Sequence, residues 1–220
     1  MSRSHLDHIT ITSPSLEIGA AFVSQALGVD AQSGGTHPRM GTHNLLLRLG
    51  DALFLEVISP DPDATVPARP RWFGLDHLHA SSPPLLSTWV ARTADIRATA
   101  AACAEPLGNI EPMRRGHLEW LITIPADGSV PVDGVAPALI TWQSDTHPAS
   151  TLQDRGLALV GLEIFHPDPT RIRRLLSSID LAGPVTVSTL TPGTRPHLVA
   201  HIDTPQGMRQ LSAPSSARSP

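Results

Sequence analysis

Apolar and polar residues alternate in "LDHITITS" (6–13), as they do in a strand with one buried face. The spacing then turns helical in "PSLEIGAAFVSQALG", which sets Leu16, Ala20, Val23 and Leu27 along one side. Ser13 stands where an N-cap belongs, Pro14 at the first helical position and Gly28 at the end. "HNLLLRLG" (43–50) and "ALFLEVIS" (52–59) predict two more strands, joined by a hairpin-type turn at Gly50-Asp51. On the first strand His8 shares a register with Leu6, Thr10 and Thr12. Ile9 and Ile11 take the opposite face, toward the helix, and so does Asp7.

The pattern recurs 80 residues on, from Leu6 to Leu86. "LSTWVART" (86–93) predicts a strand, Thr93 a helix cap, and "ADIRATAAACAEPLG" a helix ending at Gly108. "HLEWLITIP" (117–125) and "PALITWQS" (137–144) predict strands. A third copy lies 155 residues from the first, which sets Glu163 on His8. There "LVGLEIFHPDP" (159–169) is the strand, Asp168 the cap, Pro169 the first helical position and "TRIRRLLSSI" the helix. "PVTVSTL" (184–190), "PHLVAHID" (196–203) and "GMRQLSA" (207–213) follow as strands. No single unit can bury its own sheet face, so one α+β domain is expected over residues 1–213. Its three modules run at about 5–60, 85–145 and 157–213. A doubly wound parallel sheet fits less well, because the short turns make the strand pairs antiparallel.

Composition narrows the classes. At 220 residues the chain can bury a core without disulfides, and its single Cys103, in an alanine run, reads as a small buried hydrophobe. A formal net charge of −4 gives no footprint for nucleic acid, although the 16 basic residues are all arginine. No apolar run approaches a membrane span, and the N-terminus lacks an apolar signal core, so a cytoplasmic protein is expected. The tail 214–220, rich in Pro and Ser, is expected to be disordered.

The stretch "LDHITITSPSLEIGAAFVSQALGV…GGTHPRMGTHNLLLRLGDALFLEVISPDP" resembles the glyoxalase-like branch of the vicinal oxygen chelate superfamily. "RPRWFGLD", "WVARTADI", "IEPMRR" and "HPASTLQDRGLALV" extend the resemblance over nearly the whole chain. It implies βαβββ modules whose mixed sheets curl around a cup with helices outside. Its members include lyases, isomerases, extradiol dioxygenases, thiol transferases and antibiotic-binding proteins. Many hold a divalent metal by a His on a module's first strand and a Glu on its last.

In that arrangement His8 and Glu56 both face the cup, as metal ligands or as catalytic groups with Glu56 the base. An imidazole and a carboxylate suit Zn, Fe, Mn or Ni. Plain hydrogen bonding between the two is the alternative. The second module offers only Thr88 and Thr141 at the matching places, so Glu163 is the candidate third ligand. The loop "SGGTHPRMGTHN" (33–44) reads as a lid or rim, and its His43 and Asn44 either bind substrate or satisfy turn backbone groups. Trp72 and Phe73 would wall an apolar ligand site, and Trp89 reads as core. Arg92, at a strand end, would meet an anionic substrate at the cup mouth. "DHLHA" (76–80) reads as a solvated loop and "HPDP" (166–169) as a helix start.

Two functions follow as expectations. One is a small-molecule enzyme of lyase, isomerase or dioxygenase type; the other is a non-catalytic pocket that sequesters a small molecule. An odd number of modules leaves one unpaired, which suggests a homodimer.

Overall fold

Ile9 and Ile11 are fully buried on one face of the first strand, while His8, Thr10 and Thr12 are buried on the other. A sheet covered on both faces must be wrapped, and the topology shows how. The computed structural model describes residues 3–212. The first unit contains β1 (Ser4–Thr12), α1 (Leu16–Leu27), β2 (Gln32–His37), β3 (Thr42–Gly50) and β4 (Leu53–Pro60). The second contains β5 (Leu85–Arg92), α2 (Ile96–Ala102), β6 (Asn109–Arg115), β7 (Leu118–Ile124), the short turn α3 (Pro131–Gly134) and β8 (Ala138–Trp142). A further turn, α4 (Pro148–Thr151), leads to the third. That unit contains β9 (Ala158–His166), α5 (Pro169–Ser178), β10 (Leu181–Ala182), β11 (Val185–Thr189), β12 (His197–Thr204) and β13 (Gly207–Ser212).

Units one and two share one mixed sheet in the order β2-β3-β4-β1-β5-β8-β7-β6, with β10 paired to the start of β1. Each half runs outward from the central antiparallel β1–β5 pair in the same sequence of roles, and β1–β4 and β5–β8 are both parallel. The sheet curls until its two edges meet. Arg39, just past β2, donates to the Pro112 carbonyl at 2.7 Å and to the Glu111 carboxylate, both on β6. The cup is therefore almost closed upon itself.

The third unit forms its own sheet, β11-β9-β12-β13. Its Leu162, Ile164, Leu198 and Ile202 join Ile9, Ile11, Leu55 and Trp89 in one core outside the cup, to which α1 and α5 also contribute. Modules one and two thus share the cup, and module three packs on its outer face. The unpaired unit is covered on one side by its own chain. That leaves only its outer face for the second copy expected above. Among the described residues no helix is long and apolar enough to cross a membrane. The tail expected to be disordered lies outside the described residues.

Several local expectations shift. The N-caps are Ser15, which accepts from Ile18 N at 3.4 Å, and Asp95, which accepts from Ala98 N at 3.0 Å, two residues beyond Ser13 and Thr93. The reason is the sheet: Ser13 N–H still bonds Ile58 O, and Thr93 N–H bonds Ile140 O, so the strand runs on before the chain can turn. Asp168 caps α5 as expected, with Pro169 behind it. The second helix stops at Ala102 rather than Gly108, because Pro106 would clash with the carbonyl four residues back. Half of the expected lid, 33–44, is an edge strand, β2.

Candidate active site

Asp7 is the residue the alternation misplaced. In the β1–β5 pairing Leu6 stands opposite Ala91 and His8 opposite Val90, which leaves Asp7 as an extra, unpaired residue. Such a bulge swings the residues before it to the other face. Leu6 accordingly joins the outer core with Ile9, and Asp7 turns in beside His8.

Asp7 is fully buried and heavily bonded. Its Oδ1 lies 2.6 Å from His8 Nδ1. Its Oδ2 receives Trp142 Nε1–H at 3.0 Å and lies 3.0 Å from His147 Nε2 and 3.8 Å from the Arg92 guanidinium. Burial pushes this carboxyl up, but the hydrogen bonds and charges of His147 and His8 outweigh it and hold Asp7 well below the usual carboxylate range. An ionised carboxylate can only accept, so His8 carries its proton on Nδ1 toward Asp7. Nε2 of His8 is left facing the cup, where the ring is stacked on Phe54 at 4.4 Å.

Glu56 comes from β4, in register with Thr10 of β1. Its Oε1 accepts Asn44 Nδ2–H at 2.5 Å, and its Oε2 accepts the Thr10 hydroxyl at 3.4 Å. Oε2 also lies 3.8 Å from His8 Nε2, which is convergence without a direct hydrogen bond. His8, Glu56, His37, Phe54, Trp72 and Arg115 line a cavity of about 30 Å³, walled further by Trp120 and Trp142. That space holds one or two waters or one small functional group.

His37 and Arg115 set the polarity of this cavity. Burial first, then the charges of Arg115, His8 and His43, push the His37 imidazole down to about 3, so it is neutral at physiological pH. Its Nδ1 is 3.1 Å from the Thr42 hydroxyl, and its ring stands edge-on to Trp72 at 5.1 Å. Burial lowers the Arg115 guanidinium while Glu56 opposes that shift. Two glycines let these groups in. A Cβ on Gly34 would sit 2.2 Å from Asn44 Oδ1, and one on Gly35 would sit 3.1 Å from Arg115 Cδ.

The sequence-derived set is thus partly brought together. His8, Glu56, Asn44 and Trp72 meet at one cavity. His43 alternates with Asn44 on β3 and faces the other side of the sheet, where its Nε2 is buried without a hydrogen-bond partner and the ring lies within electrostatic reach of Glu17. Arg92 donates to the Ala52 carbonyl and leans on Asp7, which makes it a brace rather than an open anion site. Glu163 lies on β9 of the second sheet, where it accepts the Ser188 hydroxyl and stands 3.7 Å from His201. Asp7, His147 and Arg115 carried no signal of their own. A bulge hid the first, and the other two sit in stretches whose placement depends on how the sheet closes.

A divalent metal of the kind the resemblance implies does not fit these residues. His8 and Glu56 supply two donors, and a catalytic site of this type wants a third. Among the described residues no three His, Cys, Asp or Glu side chains are grouped to hold an ion. The guanidinium in the same cavity also opposes a cation.

Comparison with known proteins agrees with the fold. A crystal structure of a hypothetical protein from Staphylococcus aureus superposes with a TM-score of 0.56 at 14% identity, covering 95% of this chain and 84% of that one. A variant of Streptomyces coelicolor methylmalonyl-CoA epimerase in complex with 2-nitronate-propionyl-CoA gives 0.44 at 20% identity, over 66% of this chain and all 100% of the other. The Mycobacterium tuberculosis methylmalonyl-CoA epimerase gives 0.39 at 16% identity, over 62% and 85%. No curated protein sequence matches the chain. The glyoxalase-like domain family matches residues 6–179, most of the chain. Paired modules, a curled mixed sheet and that match together place the chain in the glyoxalase-like domain family of the vicinal oxygen chelate superfamily.

Proposed function

We propose that the protein is a small-molecule enzyme that moves a proton between carbon and oxygen atoms of a small carbonyl compound, as an isomerase or lyase does. The observation that carries this reading is the line Asp7–His8–Glu56. One imidazole is fixed by a buried carboxylate at 2.6 Å, and its free nitrogen converges with a second carboxylate at 3.8 Å. Geometry of this kind serves general acid–base catalysis, because both groups reach one atom placed between them. Glu56 takes a proton from the carbon next to the carbonyl and passes it to His8 Nε2, and the developing negative charge on oxygen falls to the imidazolium so formed and to the nearby Arg115 charge. The imidazolium, held by Asp7 at Nδ1, then delivers that proton from Nε2 to the oxygen, which leaves His8 neutral and Glu56 ionised as before. Aromatic walls and the closed seam keep water from competing.

Solvent deuterium exchange at the α-carbon of small 2-oxo acids and esters, followed by proton NMR, tests the reading. Wild-type protein is expected to catalyse exchange, and Glu56→Gln and His8→Gln each to slow it by roughly 10²–10⁴-fold. Exchange that persists in both variants sinks the assignment.

A second reading has its own support. Trp72, Trp120, Trp142 and Phe54 wall the inner cavity with aromatic surface, which suits a site that grips one apolar group of a ligand without chemistry. Ligand quenching of tryptophan fluorescence with no exchange or turnover in any substrate class is its signature. A homodimer through the outer face of the four-stranded sheet, where Val160 and Met208 are exposed, belongs to either reading. Light scattering that returns the mass of one chain removes it.

A further inference from the structure

Arg115 stands at a boundary. It lines the inner cavity with His8 and Glu56, and it also lines an outer cleft of about 530 Å³ with Thr36, Arg39, Arg114 and Glu119. This cleft lies over the seam where β2 meets β6. Its size falls within the range of small-molecule sites, whereas the inner cavity alone takes one functional group. Its other cations are engaged. Arg39 is paired with Glu111, and Arg114 donates to Gly116 O at 3.0 Å and lies 3.7 Å from Glu119. The Arg115 side chain makes no hydrogen bond or ion-pair contact among the described residues, although it is partly buried and feels the Glu56 charge. A half-buried guanidinium with no bonded partner, facing a cleft of this size, is placed to receive an anion. A second buried donor nearby is also unsatisfied: Trp72, on the wall of the same cavity, has an Nε1–H with no partner.

We infer that the substrate is a monoanionic carboxylic acid. Its carboxylate binds the Arg115 guanidinium at the junction, its reacting carbon points inward to His8 and Glu56, and its body lies in the outer cleft. The planar fork of arginine matches a carboxylate in two parallel hydrogen bonds. Arg115 is a single cation with no bonded carboxylate, which matches one negative charge better than the two of a phosphate dianion. Gly35 is the opening that makes this possible, since a side chain there would crowd Arg115 Cδ at 3.1 Å. This assignment deepens the proton-transfer reading and rests on it for the direction of the reacting carbon only.

Binding is tested apart from chemistry, by quenching of tryptophan fluorescence in the full-length protein. The probes are carboxylates from acetate to 3-phenylpropionate, each beside its own amide. Acids are expected to bind at least tenfold more tightly than their amides, and more so as the body lengthens into the cleft. Arg115→Gln is expected to abolish that preference by weakening acids at least tenfold more than amides, and Arg115→Lys to keep part of it. Glu56→Gln, in which proton transfer is lost, is expected to bind acids as well or better. That result separates a failure of the chemistry from a failure of the anchor. Equal binding of acids and amides, equal losses of both in Arg115→Gln, or no binding by any acid overturns the inference.

Discussion

Asp7 makes His8 useful, and it does so from a fully buried position. An unpartnered charge at a fully buried position would be driven neutral; three donors keep Asp7 ionised instead. Asp7→Asn keeps the shape but removes the charge and one acceptor, so His8 and His147 lose their shared anchor. Chemical denaturation is expected to show a loss of roughly 1–3 kcal/mol. The lowered folded pKa of Asp7 also adds stability that is present above the ordinary carboxylate range and is lost as pH falls below about 4. His37 acts at higher pH. Its imidazole is pushed from an ordinary 6.5 down to about 3, so between those values the unfolded chain takes up a proton that the folded one refuses. Stability is complete above pH 6.5 and falls as pH drops toward 3, by up to roughly 1.4 kcal/mol per pH unit from this group. His37→Gln is expected to flatten that part of the curve. An unchanged slope between pH 6.5 and 4 would show that His37 is not the buried neutral group described.

At the scale of elements, the edge strand β2 helps to build the site although its stretch was expected to be a lid or rim. Gly34 and Gly35 lie on it because Asn44 and Arg115 pass where their side chains would be. Gly34→Ala is expected to push Asn44 off Glu56, since the new Cβ would fall 2.2 Å from Asn44 Oδ1 and 2.8 Å from Leu46 Cγ. A stability loss of about 1–3 kcal/mol is expected from crowding. A two-dimensional NMR spectrum should place the largest shifts at Asn44 and Glu56, and a silent spectrum there would refute the packing argument. Much at this scale was legible in the chain. The strands on either side of each turn, the Asp168 cap and the convergence of His8 and Glu56 on one cavity all follow from periodicity, capping chemistry or the family likeness. What periodicity could not carry were events that break it. The bulge at Asp7 reverses a register, the ladder bonds of Ser13 and Thr93 delay two helices, and Pro106 shortens one. The role of Arg115 needs the curl of the whole sheet, which no local pattern encodes.

The whole molecule raises the question of what the third unit is for. Its repeat position set Glu163 on His8, yet the chain uses this unit as a cover rather than a third wall of the cup. Leu162, Ile164, Leu198, Ile202 and Leu211 are each buried by this packing, together with Ile9, Ile11 and Trp89 of the cup's outer face. Five such side chains amount to roughly 8–15 kcal/mol of apolar burial, which equals the net stability of a typical domain. The cup also takes a direct strand from this unit, since β10 extends its sheet by pairing Ser4 with Leu181 and His5 with Ala182. That pair lies just before the Asp7 bulge, so the unit steadies the end of β1 from which the site is hung. A fragment of residues 1–156 is therefore expected to lose near-UV ellipticity, bind a hydrophobic dye and aggregate, with no native Asp7–His8 contact left to measure. A monomeric fragment with a cooperative unfolding transition and the native near-UV spectrum would instead make modules one and two a domain in their own right, and module three an appendage.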